Sequence, residues 1–123
     1  MTTNELKLLE IAKEVIELNK NSNLGLKLTG SLMLAHMGIN KRRDAVDIDF
    51  LVNEDEVVAD EYSDRCPKVP EGFRMSYDGE KSCPSAIKFT NGDICIDFLS
   101  TWEGGEMYDG VNCSYVGYLI QAK

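Results

Sequence analysis

No apolar run in the 123 residues approaches the roughly 20 that a membrane-crossing helix needs. The start, Met1-Thr2-Thr3-Asn4-Glu5, has no basic stretch, so no secretory leader is expected there. Basic residues are in the minority: 13 Lys and Arg stand against 21 Asp and Glu, for a net charge of −8. That balance argues against a protein that grips long nucleic acid over a broad surface, which needs basic patches. Lys41-Arg42-Arg43 is the one basic cluster, and Glu54 to Asp64 is an acidic run that reads as a solvated face. No two of Cys66, Cys83, Cys95 and Cys113 form a Cys-x-x-Cys pair, so a zinc site has little support. Reduced thiols in a cytoplasmic protein are the plainer expectation. The single histidine, His36, reads as a packing or surface residue rather than a base. There is no internal repeat and no low-complexity segment.

What remains is the composition of one globular domain, 43% hydrophobic and 28% charged, over residues 1–123. The chemical centre is Val46-Asp47-Ile48-Asp49-Phe50-Leu51-Val52. β-Branched and aromatic residues predict a strand there. Side chains alternate, so Val46, Ile48, Phe50 and Val52 share a core face while Asp47 and Asp49 share the other. Two acids on an otherwise apolar strand are costly unless something cationic meets them.

Upstream, Leu8, Ile11, Ala12, Val15 and Leu18 recur at helical spacing, which predicts a helix over 3–20 opened by a Thr2–Glu5 capping box. Residues 24–29 alternate as a strand, and Leu32 to Met37 form a short helix stopped by Gly38. Gly30-Ser31 is then a strand-to-helix turn. Backbone N–H groups and a hydroxyl at such a turn favour a phosphate, although Ser31 acting as a plain helix cap fits the same residues. A short helix is expected over 54–62, a loop over 63–72, and a strand over 73–77.

Asn91-Gly92 lies between two strand-like runs, the strongest short signal of a hairpin. A two-residue turn would set Lys88 opposite Cys95 and Ala86 opposite Asp97. Ile87, Phe89, Ile94, Ile96 and Phe98 then face the core, and Asp97 joins Asp47 and Asp49 on the other side. Asp109-Gly110 predicts a further turn, with a strand over 111–115 and the start of a helix over 116–123.

At about 5 Å and an effective dielectric of ~20, each pair of like charges repels by roughly 3 kcal/mol. A proton with a raised pKa, or a divalent cation, would relieve three such carboxylates. Oxygen-only ligands suit Mg²⁺ or Mn²⁺. Acids beside a phosphate turn point to a nucleoside triphosphate held through the cation.

Gly30-Ser31, the helix after it, Asp47-Ile48-Asp49-Phe50 and the later Ile96-Asp97-Phe98 together resemble the DNA polymerase β-like nucleotidyltransferase superfamily. Leu34-Ala35 and Arg43 ahead of Val46 to Phe50 look most like its small bacterial branch. That branch holds the AbiEii-type and minimal nucleotidyltransferases of toxin–antitoxin systems. The likeness covers about residues 26–52 and 86–99, with a fainter echo at 119–123. It implies an α+β fold, a mixed β-sheet with helices packed on one face. It implies an enzyme that moves a nucleoside monophosphate from an NTP to a hydroxyl of a protein, a tRNA end or a small molecule. Asp47 and Asp49 would bind both metal ions. Asp97 would bind the catalytic one and help deprotonate the acceptor, and Gly30 and Ser31 would hold the triphosphate. Arg43 and Lys88 are candidates for charge neutralisation, and Trp102 for stacking on a base. Two departures stand out. Fifteen residues separate Ser31 from Asp47, slightly more than is usual. The chain also stops at Lys123, where many relatives continue into a helical region that helps bind substrate, which leaves open the acceptor and whether the protein acts without a protein partner. The alternative is a non-catalytic nucleotide-binding module, or one subunit of a toxin–antitoxin-like complex.

Overall fold

The computed structural model describes residues 1–39, 43–53, 66–76, 86–101 and 104–115. The expected helices at 54–62 and 116–123, together with Trp102 and Cys83, lie outside the described residues. Among the described residues, no helix is long and apolar enough to cross a membrane.

The chain opens with α1 (Thr3–Leu18), and its start is as the sequence predicts. The Thr2 hydroxyl accepts from the Glu5 N–H at 3.1 Å, and Glu5 Oε1 accepts from the Thr2 N–H at 3.0 Å. Leu8, Leu9, Ala12 and Val15 form the buried stripe. The helix ends two residues before the expected limit, with Asn19 as its cap, and Leu18 is exposed rather than in the core. The Asn19 amide donates to the carbonyls of Val15 and Lys68, and its oxygen accepts from the Lys68 N–H. A single side chain thus closes the helix and ties down a segment 49 residues away.

Then come β1 (Lys27–Thr29), α2 (Gly30–His36), β2 (Ile48–Asn53), β3 (Arg74–Ser76), β4 (Ala86–Thr90), β5 (Cys95–Thr101), β6 (Gly105–Tyr108) and β7 (Val111–Ser114). Among the described residues, the strands form one seven-stranded sheet in the order β3-β4-β5-β2-β1-β7-β6. The β2–β5 and β1–β7 pairs are parallel and the others antiparallel, so the sheet is mixed.

The alternation read from the sequence builds the core. Ile48, Phe50 and Val52 of β2, Ile96 and Phe98 of β5, and Ile87 and Phe89 of β4 join the α1 stripe and Leu32 and Met33 of α2 in one cluster. Both helices therefore cover the same face, giving the expected α+β architecture. Phe50 stacks on Phe98 with ring centres 5.6 Å apart, and Phe89 meets Phe98 edge-on at 5.8 Å. Such aromatic pairs add about 0.5–1.5 kcal/mol each beyond the area they bury.

Three expectations need correction. Val46 is not a core residue: β2 begins at Ile48, and Val46 is 67% exposed. The hairpin of β4 and β5 has a four-residue loop, not a two-residue turn. The Asn91 side-chain oxygen accepts from the N–H groups of both Asp93 and Ile94 at 2.9 Å, so the amide closes a wider loop than the backbone alone would. The ladder is displaced by two residues, and Lys88 rather than Ala86 faces Asp97. A displacement of two preserves which side chains face the core, so the predicted faces hold. Third, β6 has no counterpart among the expected strands. Asp109 and Gly110, both at positive φ, form the turn that folds it back on β7.

Candidate functional site

The parallel pairing of β2 with β5 matches Asp49 directly with Asp97. Both side chains leave the sheet on the face opposite Phe50 and Phe98, as their alternation requires. The two carboxyl groups are close enough for each to shift the titration of the other. Burial first, then the Asp97 charge and the hydrogen bond to it, push the Asp49 carboxyl up to about 6. The more distant Asp47 charge adds to this, and Lys88 opposes it. Asp97 is also raised, chiefly by burial, with Lys88 acting against that as the largest opposing charge. Each member of the pair thus holds a proton more firmly than an isolated aspartate does.

Lys88 is the direct neighbour of Asp97 across β4 and β5, a consequence of the two-residue displacement. Its Nζ is 3.9 Å from Asp97 Oδ1, close enough for charge attraction but too far for a hydrogen bond. Among the described residues, Asp97 Oδ1 is consequently buried without a hydrogen-bond partner. A buried carboxylate oxygen left in that state costs free energy until a cation or donor meets it.

Gly30 supplies the floor. Its φ is +72°, a backbone conformation that glycine adopts without strain, and a Cβ there would lie 2.5 Å from Asp49 Oδ2. The strand-to-helix turn therefore touches the carboxyl pair directly. Thr29, just before it, is buried opposite Asp49 across β1 and β2 and accepts a hydrogen bond from the Ser114 hydroxyl at 2.9 Å. Ser31 is exposed in the first turn of α2. The capping position belongs to Thr29, which makes no side-chain cap bond, so Ser31 is not the helix cap.

Two sequence candidates stand apart. Asp47 precedes β2, is exposed, and interacts with the pair only through its charge. Arg43 is exposed in the coil before it, and the described structure shows no ion pair between Arg43 and the acids. Among the described residues, no three acidic, histidine or cysteine side chains stand close enough to hold a metal ion together. The site is thus a pair of carboxylates with a third held nearby. His36 packs edge-on against Tyr108 with its Nε2 2.9 Å from the Tyr108 carbonyl, outside the site. Sequence reasoning missed Thr29, whose only signal is its place before Gly30. It also missed a second contact of Glu5, which reaches the segment leading into Asp47.

The donor set fits a small hard divalent cation. Mg²⁺ is commonly held by one or two carboxylates, with water and substrate phosphates completing the shell. Asp49 and the unsatisfied Asp97 oxygen offer that minimum without requiring Asp47.

The fold is a nucleotidyltransferase fold. The chain is similar to the crystal structure of "a putative nucleotidyltransferase (TM1012) from Thermotoga maritima", with a TM-score of 0.56 over 95% of this chain and 83% of that one. Sequence identity between the two is 14%. No protein-family model matches the chain, and no curated protein does.

Proposed function

We propose that this chain is a divalent-cation-dependent nucleotidyltransferase. It moves a nucleoside monophosphate from an NTP to a hydroxyl acceptor on a protein, a tRNA end or a small molecule. The observation that carries this reading is the in-register Asp49–Asp97 pair, pressed against the Gly30 turn on a fold shared with the Thermotoga protein.

In this reading Asp49 and Asp97 hold the cation, and Asp47 completes the acidic rim. When bound, Mg²⁺ or Mn²⁺ supplies positive charge for the triphosphate oxygens and for the developing negative charge. The backbone at Gly30 and the exposed Ser31 hydroxyl face the triphosphate. Asp97 takes the proton of the acceptor hydroxyl, whose oxygen bonds to the α-phosphorus. The bond from that phosphorus to the β-phosphate bridge breaks, and pyrophosphate leaves. Lys88 offsets the negative charge on Asp97, and Arg43, an exposed cation ahead of β2, is available to the phosphates. The acidic balance of the chain disfavours long nucleic acid as the acceptor. The finer affinity, to the AbiEii-type and minimal enzymes of toxin–antitoxin systems, rests on the sequence motif and includes a protein partner and a cytoplasmic setting.

A second reading is a non-catalytic nucleotide-binding module or complex subunit, and the exposed position of Asp47 outside the carboxyl pair favours it. Calorimetry with ATP and GTP in Mg²⁺, followed by transfer of label from α-labelled NTPs to lysate components, separates the two. Labelled product that disappears in Asp49→Asn supports the enzyme. Binding without any product supports the module, and no binding of either nucleotide removes both.

A further inference from the structure

We propose that Glu5 is a positioning residue for the acidic rim, tying the first turn of α1 to the segment that delivers Asp47. The proposal rests on the cation-binding reading of the site. Glu5 is 2% exposed, unusual for a carboxylate in a first helical turn. Its two oxygens do different things. Oε1 closes the capping box on the Thr2 N–H, whereas Oε2 accepts from the Ala45 N–H at 2.9 Å, across 40 residues. Ala45 is itself buried, 1% exposed, and belongs to the core cluster.

The location of this bond gives it its consequence. Asp49 lies within the β2 ladder, so the sheet fixes it. Asp47 precedes the strand and has no ladder of its own. Between the Ala45 anchor and Ile48, the first residue of β2, only Val46 and Asp47 intervene, and both are exposed. Fixing the Ala45 N–H therefore limits where the Asp47 carboxylate can reach relative to Asp49 and Asp97. A capping box alone needs one oxygen of Glu5; the second serves the site. The acceptor here is shielded from water, so the Ala45 N–H has no solvent substitute for it.

Glu5→Gln retains an oxygen for the capping box but presents an amide in place of the second acceptor. Glu5→Asp keeps the charge and a good first-turn residue while falling one methylene short of Ala45. Thr2→Ala is the control, since it weakens the cap and leaves the Glu5–Ala45 bond in place. Two readouts apply: backbone amide exchange without metal, and Mn²⁺ affinity by electron paramagnetic resonance. In both Glu5 variants the Ala45 amide exchanges about tenfold faster or more, as loss of a buried acceptor implies. Mn²⁺ affinity falls at least threefold, whereas Thr2→Ala binds Mn²⁺ like the wild type. Unchanged Mn²⁺ affinity in Glu5→Gln and Glu5→Asp, with Asp49→Asn abolishing it, overturns the positioning role and leaves the cation site standing. Mn²⁺ affinity that survives Asp49→Asn instead overturns the cation site, and with it the role of Glu5. A protected Ala45 amide in the Glu5 variants also overturns the proposal.

Discussion

A side chain at residue 30 would occupy the space of the Asp49 carboxylate: the Cβ position on Gly30 is 2.5 Å from Asp49 Oδ2. Gly38 offers an internal control. It has nearly the same φ, +73° against +72°, and none of the described residues lies within 4 Å of its Cβ position. Gly38→Ala should cost about 1–2 kcal/mol, the left-handed strain alone, and leave Mn²⁺ binding intact. Gly30→Ala should cost more and lose Mn²⁺ affinity, because Asp49 must move. Thermal unfolding and Mn²⁺ titration of the two variants check this. Equal losses of affinity would show that the turn does not support Asp49.

Asp49→Asn separates stability from activity. The wild type holds a carboxyl pair in mutual repulsion, with one Asp97 oxygen unsatisfied. An amide at 49 can donate to Asp97 and removes one charge. In EDTA at pH 8 the variant should melt at the same temperature as the wild type or higher. Transfer activity should fall well beyond the roughly 10–100-fold typical of residues that merely support a ligand. Strain held at a functional site predicts this inverse relation.

Stability without metal should fall as pH rises through the site's titration. Asp49 has a folded pKa raised from 3.8 to about 6. Between those values the folded state binds more protons than the unfolded one, so unfolding free energy decreases with pH. Below about 4 the carboxyl is protonated in both states, and above about 6 the penalty is complete. Its size is of the order of 3 kcal/mol. Denaturant unfolding in EDTA from pH 4 to pH 8 reads the slope, and Asp49→Asn should flatten it. Mn²⁺ at pH 8 should restore the lost stability, with uptake of the ion releasing a proton near pH 6.

The parity of the strands was legible because one buried face fixes it. Ile48, Phe50, Ile96 and Phe98 could point only into the core, which sent Asp49 and Asp97 out together. The capping box of α1 and the Gly30 turn were equally local. Whatever depended on competition between local bonds was not. The Asn91 amide outbid the two-residue turn, and so the partner of Asp97 became Lys88. Val46 has a strand-forming side chain but sits before the first ladder bond of β2. The second oxygen of Glu5 meets a residue 40 positions away, and no sequence pattern announces such a contact.

Ser31→Ala tests whether the turn meets a phosphate. The residue is exposed and the cap position is Thr29, so loss of the hydroxyl should alter stability by no more than roughly 0.5 kcal/mol. The KM for the NTP should rise severalfold while the melting temperature stays unchanged. A variant with wild-type KM would leave the hydroxyl no part in substrate binding.

Lys88→Met isolates the effect of the charge across from Asp97. Its Nζ is 3.9 Å from Asp97 Oδ1, and it opposes the rise of both carboxyls. The side chain is 41% exposed, so the pair itself contributes under about 1 kcal/mol and the variant should remain folded. The titration changes instead. Without the ammonium, both carboxyls hold their protons to higher pH, and the decline in metal-free stability moves upward. Mn²⁺ binding at pH 8 should tighten, because no ammonium repels the ion, and the gain should shrink at pH 6, where the cation must displace a proton. Parallel loss at both values would mean that Lys88 acts through the shape of the site and not through its charge.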